Sequence, residues 1–456
     1  MRACRAGFSH RGSCSGFYPG PYSLSNMFAR LPALLLCLTC GLAAAQPQPQ
    51  PPPPASGAAL PVPVAAPASV PQPIRIGEIN SYTTIPQFIL PYRQGWQLAL
   101  EQINAGGGLL GRPVQVISRD DAGRPDEAAR QAADLVTREH VDVLAGTFVS
   151  NTALAVSQYA ARNKRLFLAS APLTDALVWE RGNRYTFRLR PSTYMLAAIM
   201  VEEALRLPGR SWYMIAPNYE YGQSVVATFK ALLKARRPEV EFVGEQWPAL
   251  GKLEARQAAA IVKAASDARP DVIFNALFGA DLVQLVRAGK QSGLFPRVPV
   301  LSLLTGEPEY LDVLKDDIVP GWIVTGYPAA QIDTPAHNGF AAAYLQKFSE
   351  QPKYASVLGY TTLMALAEAV RKAGSTRTEE LVTAMRGLRF ASPLGPVTLR
   401  SQDHQATLGV YVGRIEQRAD GARPRGALTG ARYVDGAAVQ PTDAWVRARR
   451  PESANK

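Results

Sequence analysis

Gly95-Trp-Gln-Leu-Ala-Leu-Glu-Gln-Ile-Asn-Ala-Gly-Gly-Gly-Leu-Leu-Gly-Arg-Pro-Val-Gln-Val116 is the stretch that decides the fold of this 456-residue chain. Its apolar residues Trp96, Ala99 and Ile103 share one face at helical spacing, and the glycines at 106–108 then end the helix. Apolar runs on either side predict strands, at Ile74–Ile79 and Val114–Ser118. The stretch therefore predicts a strand, a helix and a second strand, with no catalytic group among them.

The same alternation of strands and helices continues along the chain. Further strands are predicted at Val141–Ala145, Arg165–Ala169, Ser211–Ala216, Val240–Gly244, Asp271–Asn275 and Val298–Ser302. Arg190-Pro191 marks a bend between the first four strands and the rest. Late helices are predicted at Pro335–Ser349, Val357–Lys372 and Thr378–Arg386, before a β ending. This order predicts an α/β fold with parallel sheets, helices on both faces of each sheet, and two lobes.

The first 73 residues are predicted to lie outside both lobes. Residues 1–45, with a possible start at Met27, contain Arg30, an apolar run too short to span a bilayer and a small-residue site, which is typical of a secretory signal peptide. An ordinary buried helix is the alternative for that run. Residues 46–73 form a Pro-rich linker that is expected to be disordered. We expect a periplasmic protein, with a lipid anchor at Cys40 as the alternative.

Composition and motif spacing argue against an enzyme and against a nucleic-acid-binding protein. All four cysteines precede the predicted cleavage site, and loss of four arginines with the signal would lower the formal charge from +12 to +8. No cluster of basic residues is interleaved with aromatic residues. The four histidines lack metal-ligand spacing, no Gly-x-Ser-x-Gly elbow occurs, and Asp120-Asp121 is more typical of a turn than of a metal site. We therefore predict no catalytic residues, no metal, no cofactor and no nucleic-acid partner.

Binding residues are instead expected where strands end. Ligands of parallel α/β sheets lie beyond the carboxyl ends of the strands. Ser150 follows one strand at a predicted helix start, where free N–H groups favour an anion such as a carboxylate. Ala171 and Thr174 follow the next strand, whereas Tyr221 and Phe278 follow strands of the second lobe. A helix cap is the alternative role for Ser150. Two such rims facing each other would form a cleft that closes on a small molecule.

An ordered set of motifs resembles the leucine/isoleucine/valine-type periplasmic binding proteins of ABC transporters. The motifs are Ile74-Arg-Ile-Gly77, Leu98 to Val114, Arg119-Asp-Asp-Ala-Gly-Arg-Pro-Asp-Glu-Ala128, Asn218-Tyr-Glu-Tyr-Gly-Gln-Ser224, Leu366 to Ser375 and Ser392-Pro-Leu-Gly-Pro-Val-Thr-Leu399. The resemblance covers about residues 74–440. It implies a type I fold in which two Rossmann-like lobes are joined by three hinge crossings, near Arg190-Pro191, Gly326–Pro328 and Leu399–Gln402.

The resemblance also implies a division of the chain. Residues 74–190 and 328–399 would form the N-terminal lobe, residues 191–327 and 400–440 the C-terminal lobe, and residues 441–456 a basic tail.

Site residues implied by the resemblance are matched one by one. Ser150 matches the family serine that holds the ligand carboxylate, and Ala171 matches a backbone contact. The family threonine falls at Leu173, beside Thr174, and a second-lobe tyrosine is replaced by Phe278. Tyr221 matches the tyrosine of a Tyr-Gly pair that closes the cleft. The remaining expected ligand-binding residues are Thr305, Glu307, Tyr360 and Tyr82.

The acidic residue that would bind a ligand ammonium falls near Leu304-Thr305, where there is no acid, and Glu307 is displaced from it. Because a buried ammonium without a carboxylate partner costs several kcal/mol, we expect an amino-acid-like or carboxylate or amide solute rather than a simple branched-chain amino acid. The resemblance implies a monomeric receptor that delivers its solute to an inner-membrane ABC permease. A sensing module of the same fold is the alternative, and a secreted hydrolase is less favoured.

Overall fold

Two α/β sheets organise the chain in the computed structural model, which describes Gln50, residues 71–420 and residues 423–455. The chain divides into two units, Met1–Ala68 and Ser69–Lys456, and every helix and strand named below belongs to the second. The predicted signal peptide, the Cys40 alternative and all but Gln50 and residues 71–73 of the predicted linker lie outside the described residues.

The first lobe is built on a parallel sheet of five strands. The strands are β1 (Ile74–Asn80), β2 (Val114–Asp120), β3 (Val143–Gly146), β4 (Phe167–Ala169) and β5 (Thr186–Arg188), in the order β2-β1-β3-β4-β5. Helices α1 (Pro86–Ala105), α2 (Pro125–Thr137) and α3 (Ser150–Arg162) connect them. This is a doubly wound order, whose switch point lies between β1 and β3.

The second lobe repeats that order and extends it. Its elements are α4 (Thr193–Ala204), β6 (Ser211–Ile215), α5 (Glu220–Arg236), β7 (Glu241–Gln246), α6 (Ala255–Asp267), β8 (Val272–Asn275), α7 (Gly279–Gln291), β9 (Val300–Gly306), α8 (Pro308–Leu314) and β10 (Ile323–Gly326). The sheet order is β14-β13-β10-β9-β8-β6-β7, in which the five strands β6 to β10 are parallel. The last two strands, β13 (Val410–Asp420) and β14 (Arg423–Val434), form an antiparallel hairpin on the β10 edge.

The remaining helices return to the first lobe. They are α9 (Pro335–Phe348), α10 (Tyr354–Ala373) and α11 (Thr378–Met385), followed by the hairpin β11 (Arg389–Ser392) and β12 (Gly395–Thr398). Gly95 and Gly359 lie where α1 crosses α10. A Cβ at Gly95 would lie 2.0 Å from the carbonyl oxygen of Ser356, so only glycine permits this approach.

Glycine also ends α1, as the sequence predicted. The N–H groups of Gly106 and Gly108 donate to the carbonyls of Gln102 and Ile103. Gly108 has φ +76°, and a Cβ there would lie 2.0 Å from the carbonyl oxygen of Arg112. Residues 106–108 therefore close a helix, which confirms the predicted end of α1.

The chain passes between the two sheets near Arg190, near Pro328 and between Ala406 and Val410. The last passage lies a few residues beyond the predicted Leu399–Gln402, because Gln405 still pairs with Arg188 beside the first sheet. After β14 the chain returns once more to the first lobe. There Trp445, in the short helix α12 (Asp443–Arg447), packs edge-on against Trp179 at 4.6 Å. The predicted basic tail is therefore partly docked, and local sequence carries no signal for that contact.

Candidate ligand-binding cleft

Residues that follow the strands of the first sheet form one rim. Ser150 is the first residue of α3 and is buried, and its Oγ accepts a hydrogen bond from the N–H of Thr174 at 3.3 Å. Ala171 is held next to β3 because its N–H donates to the carbonyl of Thr147 at 3.2 Å. The structure thus brings Ser150, Ala171 and Thr174 together from two separate connections.

The start of α3 is suited to an anion. Val149 precedes the helix and supplies no side-chain cap, so the first N–H groups of this 13-residue helix are not capped by its side chain. Helix N-termini carry a partial positive charge as well as free donors. With the Ser150 hydroxyl beside them, these groups can bind a carboxylate.

Aromatic side chains join the two rims. Phe88 and Phe148 of the first lobe lie 4.6 Å apart between ring centroids, and Phe148 lies 5.8 Å from Phe278 of the second lobe. Phe278 in turn lies 6.0 Å from Tyr221 and 5.8 Å from Tyr310. We call these five residues the aromatic cluster. All five are buried, so they form an apolar wall on which a ring or an alkyl chain could pack.

A buried ion pair also joins the lobes beside the aromatic cluster. Arg190, just after β5, donates from Nη2 to Oε1 of Glu307, just after β9, and both side chains are at most 2% exposed. The guanidinium lies between two rings, with Cζ 5.1 Å from the centroid of Phe88 and 5.2 Å from that of Tyr354. This arrangement holds a guanidinium, paired with a carboxylate, between two aromatic rings at the base of the cleft.

Several polar atoms around this pair are buried without a partner. Among the described residues, none hydrogen-bonds to Nη1 of Arg190, Oε2 of Glu307 or the hydroxyls of Tyr221 and Tyr310. Buried polar groups in proteins are nearly always paired, so four such atoms in one place indicate a site for an external partner.

Burial and the neighbouring charge set the protonation of this group. Burial raises the pKa of the Glu307 carboxyl above its usual range, and the guanidinium of Arg190 opposes that rise. Burial lowers the pKa of Arg190, but the charge of Glu307 more than offsets it, so the guanidinium stays protonated. Burial also raises the pKa of Tyr221 well above its usual value. The tyrosine is therefore a neutral hydroxyl that can both donate and accept.

Backbone strain occurs close to the site residues of both rims. Thr147, which precedes Phe148, has φ +63°, and Leu304, three residues before Glu307, has φ +65°. Non-glycine residues avoid this region, and such strain clusters at ligand sites. The sequence does not predict a positive φ at either position, because neither residue is a glycine.

Three of the predicted site residues lie away from this group. Thr305 bonds inside the second lobe, with its Oγ1 2.6 Å from the Oγ of Ser302. Tyr82 donates to Oε2 of Glu78 at 2.7 Å. Tyr360 donates to Oε1 of Gln102 on an exposed side of α1, whereas Tyr354, in the first turn of the same helix, lies over Arg190. The remaining predicted residues, Ser150, Ala171, Thr174, Tyr221, Phe278 and Glu307, lie on the two rims.

Five residues of the cleft are absent from the sequence-based prediction: Phe88, Phe148, Arg190, Tyr310 and Tyr354. The sequence indicates Arg190 only as part of a bend and of a crossing between lobes. One signal in the sequence could have identified Arg190 as a site residue. It is a cation at a predicted crossing between lobes, and a residue at such a crossing lies close to the cleft between them.

Other kinds of site find no support in the described part of the chain. Residues 71–420 and 423–455 contain no group of three histidines, cysteines or acids placed to hold a metal ion. Across the same residues, no helix has the length and apolar character that a bilayer crossing requires.

Comparison with known proteins identifies the family. A sequence profile described as periplasmic binding protein matches residues 73–422, more than three quarters of the chain. The chain belongs to the periplasmic binding protein family. Members of this family bind small-molecule solutes outside the cytoplasm.

Relatives of this periplasmic binding protein agree in fold. A Leu/Ile/Val-binding protein homolog from Brucella melitensis is 24% identical over 353 residues, covering 72% of this chain and 80% of the relative. A solute-binding protein from Rhodopseudomonas palustris, solved with 3,4-dihydroxybenzoic acid, has a TM-score of 0.70 at 22% identity, covering 79% of this chain and 98% of its own. A leucine-binding protein from Thermotoga maritima has a TM-score of 0.68 at 20% identity, covering 79% and 97%. The predicted type I, two-lobed α/β fold is confirmed.

Proposed function

We propose that this protein is the solute receptor of an ABC importer and closes its two lobes on a small organic carboxylate. The observation that carries the proposal is the set of unpartnered, buried polar atoms between the rims, which include Arg190 Nη1 and the Tyr221 hydroxyl. Polar atoms that a protein leaves unpaired at a domain interface are suited to a ligand that binds on closure.

The rims already touch, which supports closure by hinge motion. Oγ1 of Thr174 donates to Oε1 of Glu220 at 2.6 Å, and the N–H of Ala355 donates to Oε1 of Glu309 at 2.6 Å. Each bond joins one lobe to the other. A ligand that adds further bonds across the same gap would favour the closed form.

Ser150 is proposed to hold the ligand carboxylate, together with the first N–H groups of α3 and the neighbouring Ala171. Relatives support a carboxylate ligand: they include Leu/Ile/Val-binding homologs and proteins from Rhodopseudomonas palustris solved with 4-hydroxybenzoate and with 3,4-dihydroxybenzoic acid. All of these ligands carry a carboxylate, whereas only some of them carry an ammonium.

The proposal also covers export of the protein, its location and its partner in the membrane. Residues 1–45 would direct export, residues 46–73 would tether the lobes, and the mature protein would be a periplasmic monomer that docks on an inner-membrane permease. A lipid anchor at Cys40 is the alternative, which mass spectrometry of the mature N-terminus would distinguish. The receptor would release its solute chemically unchanged.

Ligand titration tests the proposal. Protein purified from the periplasm is screened by thermal shift and calorimetry against amino acids, aliphatic acids and aromatic acids. We expect at least one carboxylate to raise the melting temperature, because a ligand that binds only the folded state stabilises it. Ser150→Ala should weaken that ligand at least tenfold, whereas Ser266→Ala, on the distant helix α6, should not. Failure of every carboxylate to bind, or conversion of a ligand to product, would contradict the proposal.

A further inference from the structure

The ion pair between Arg190 and Glu307 occupies the end of the cleft with the aromatic cluster. Each partner uses one polar atom on the other and keeps one atom unpartnered among the described residues: Nη1, a donor, on Arg190 and Oε2, an acceptor, on Glu307. One ion pair thus carries both an unpartnered donor and an unpartnered acceptor.

Burial of this ion pair costs free energy of desolvation. Removing two charges from water is repaid only when good geometry and additional hydrogen bonds satisfy the remaining donors and lone pairs. The surrounding hydroxyls of Tyr221 and Tyr310 are also without a partner among the described residues, so they do not supply those bonds. The pair is therefore incomplete in a way that a ligand can correct.

Charge restricts what that ligand group can be. A ligand ammonium would meet the positive guanidinium of Arg190 as well as Glu307, whose charge Arg190 already neutralises. A second carboxylate would meet Glu307. A neutral group that both donates and accepts meets neither penalty, because it can accept from Arg190 Nη1 and donate to Glu307 Oε2. A hydroxyl group has this property.

Shape restricts the rest of the ligand. Phe88 and Phe148 on one rim and Phe278 and Tyr310 on the other form an apolar wall, with ring centroids 4.6 to 6.4 Å from one another. The wall adjoins the pair, because the centroid of Phe88 lies 5.1 Å from Cζ of Arg190. A flat aromatic ring packs on such walls with less loss of conformational freedom than an alkyl chain.

We propose that Arg190 and Glu307 form a specificity subsite for a neutral hydroxyl on an aromatic carboxylate, and that they discriminate against an ammonium at the same place. The proposal rests on the proposed function, since it takes the carboxylate end of the ligand to lie at Ser150. Because both partners of the subsite come from different lobes, the hydroxyl would also stabilise the closed form.

Matched ligand pairs test the subsite. Dissociation constants are measured by calorimetry for 4-hydroxybenzoate against benzoate, for 3-(4-hydroxyphenyl)propanoate against 3-phenylpropanoate, and for 4-(aminomethyl)benzoate. In at least one series, we expect the hydroxylated acid to bind at least tenfold more tightly than its parent, because the parent would leave two buried charged atoms unpaired. The cationic analogue should bind more weakly than benzoate.

Variants assign that preference to the pair. The double variant Arg190→Met/Glu307→Leu retains an apolar pocket without a lone charge and should lose the preference for the hydroxyl. Glu307→Gln removes the charge with little change in volume and should reduce the preference about tenfold. This variant provides the test if the double variant is too unstable to measure. Arg287→Lys and Asp317→Asn alter an exposed ion pair of 2.6 Å in the same lobe and should leave it unchanged.

The outcomes separate the subsite from the proposed function. Equal affinity for hydroxylated and parent acids, or an unchanged preference in both variants, overturns the subsite while the carboxylate receptor stands. Tighter binding of the cationic analogue also overturns it. A protein that binds none of these or any other carboxylate contradicts the receptor function, and the subsite with it.

Discussion

Arg188 and Arg190 are two residues apart, both fully buried, and do different things. Arg188 forms its hydrogen bonds with neutral groups close to the first sheet. Nε donates to Oε1 of Gln405 at 2.5 Å, and Nη1 donates to the carbonyls of Leu173 and Thr174. It therefore fastens the Ser150 rim to the last crossing of the chain. Arg190 has a single carboxylate partner in the other lobe and lies between two rings.

The pKa values of the two guanidiniums follow this difference. Burial lowers the pKa of Arg188 to about 10, although the charges of Asp175 and Asp403 oppose the shift. The direct pair with Glu307 keeps the pKa of Arg190 above its usual value despite burial. Each arginine has one nitrogen without a partner among the described residues, but only that of Arg190 lies beside an unpartnered acceptor and two tyrosine hydroxyls that are also unpaired. Burial of a charge is thus a poor guide to function, and the groups left unpaired around it are a better one.

The largest expected effect is on stability, from Arg188→Met. The substitution leaves the carbonyls of Leu173 and Thr174 and the amide of Gln405 without their charged donor. Since each hydrogen bond to a charged group contributes about 1.5–3 kcal/mol, loss of the three bonds should lower the free energy of unfolding by at least about 4.5 kcal/mol. Urea unfolding measures this loss. A loss below about 1 kcal/mol would show that Arg188 does not fasten the rim.

A second prediction contrasts this with the pair in the cleft. Arg190→Met alone should lower the free energy of unfolding by about 3 kcal/mol, because it leaves Glu307 as a buried, uncompensated charge. Adding Glu307→Met should restore stability to within about 1 kcal/mol of the wild type, since apolar residues often replace a buried ion pair without loss. Urea unfolding of the single and double variants checks both values. If the double variant stays as unstable as the single one, the pair is a structural support like Arg188.

The smallest effect concerns pH and compares Glu307 with Glu309. Glu309 has no guanidinium partner, and burial raises its pKa to about 8, with the charge of Glu307 adding to the rise. The carboxyl is thus held neutral in the folded state, with a pKa far above its unfolded value. Its contribution to stability is fully present below the unfolded pKa and is lost as the pH rises through about 8.

We therefore expect Glu309 by itself to lower the free energy of unfolding by on the order of 2 kcal/mol between pH 5.5 and pH 7.5, at about 1.4 kcal/mol for each unit over which the folded group binds the extra proton. Glu309→Gln should flatten this slope in urea unfolding at several pH values. Glu78, whose pKa burial raises to about 7, acts with the same sign and should leave part of the slope in that variant. Burial lowers the pKa of His404 and of His337, so these two groups add stability as the pH rises over the same range. The test is therefore the difference in slope between the wild type and Glu309→Gln, and equal slopes would contradict the protonation of Glu309.

The sequence by itself determined the repeated strand–helix order, the end of α1 at residues 106–108 and the two-lobed α/β fold. These features depend on local periodicity and on glycine conformation, which a short stretch of chain contains. It also placed Ser150 and Ala171 after strand ends, because the carboxyl edge of a parallel sheet follows from strand order alone.

Only the tertiary structure decided which side chains line the cleft. Arg190 meets Glu307 across 117 positions of sequence, and it is Tyr354 rather than Tyr360 that lies over the guanidinium. Trp445 reaches Trp179 in the same non-local way. Such contacts arise where the chain passes between lobes, and no periodic pattern records which side chains will face each other there. For the same reason, the role of a buried charged residue depends on distant segments of the chain. It stabilises the fold where those segments supply all of its hydrogen-bond partners, and it can bind a ligand where they do not.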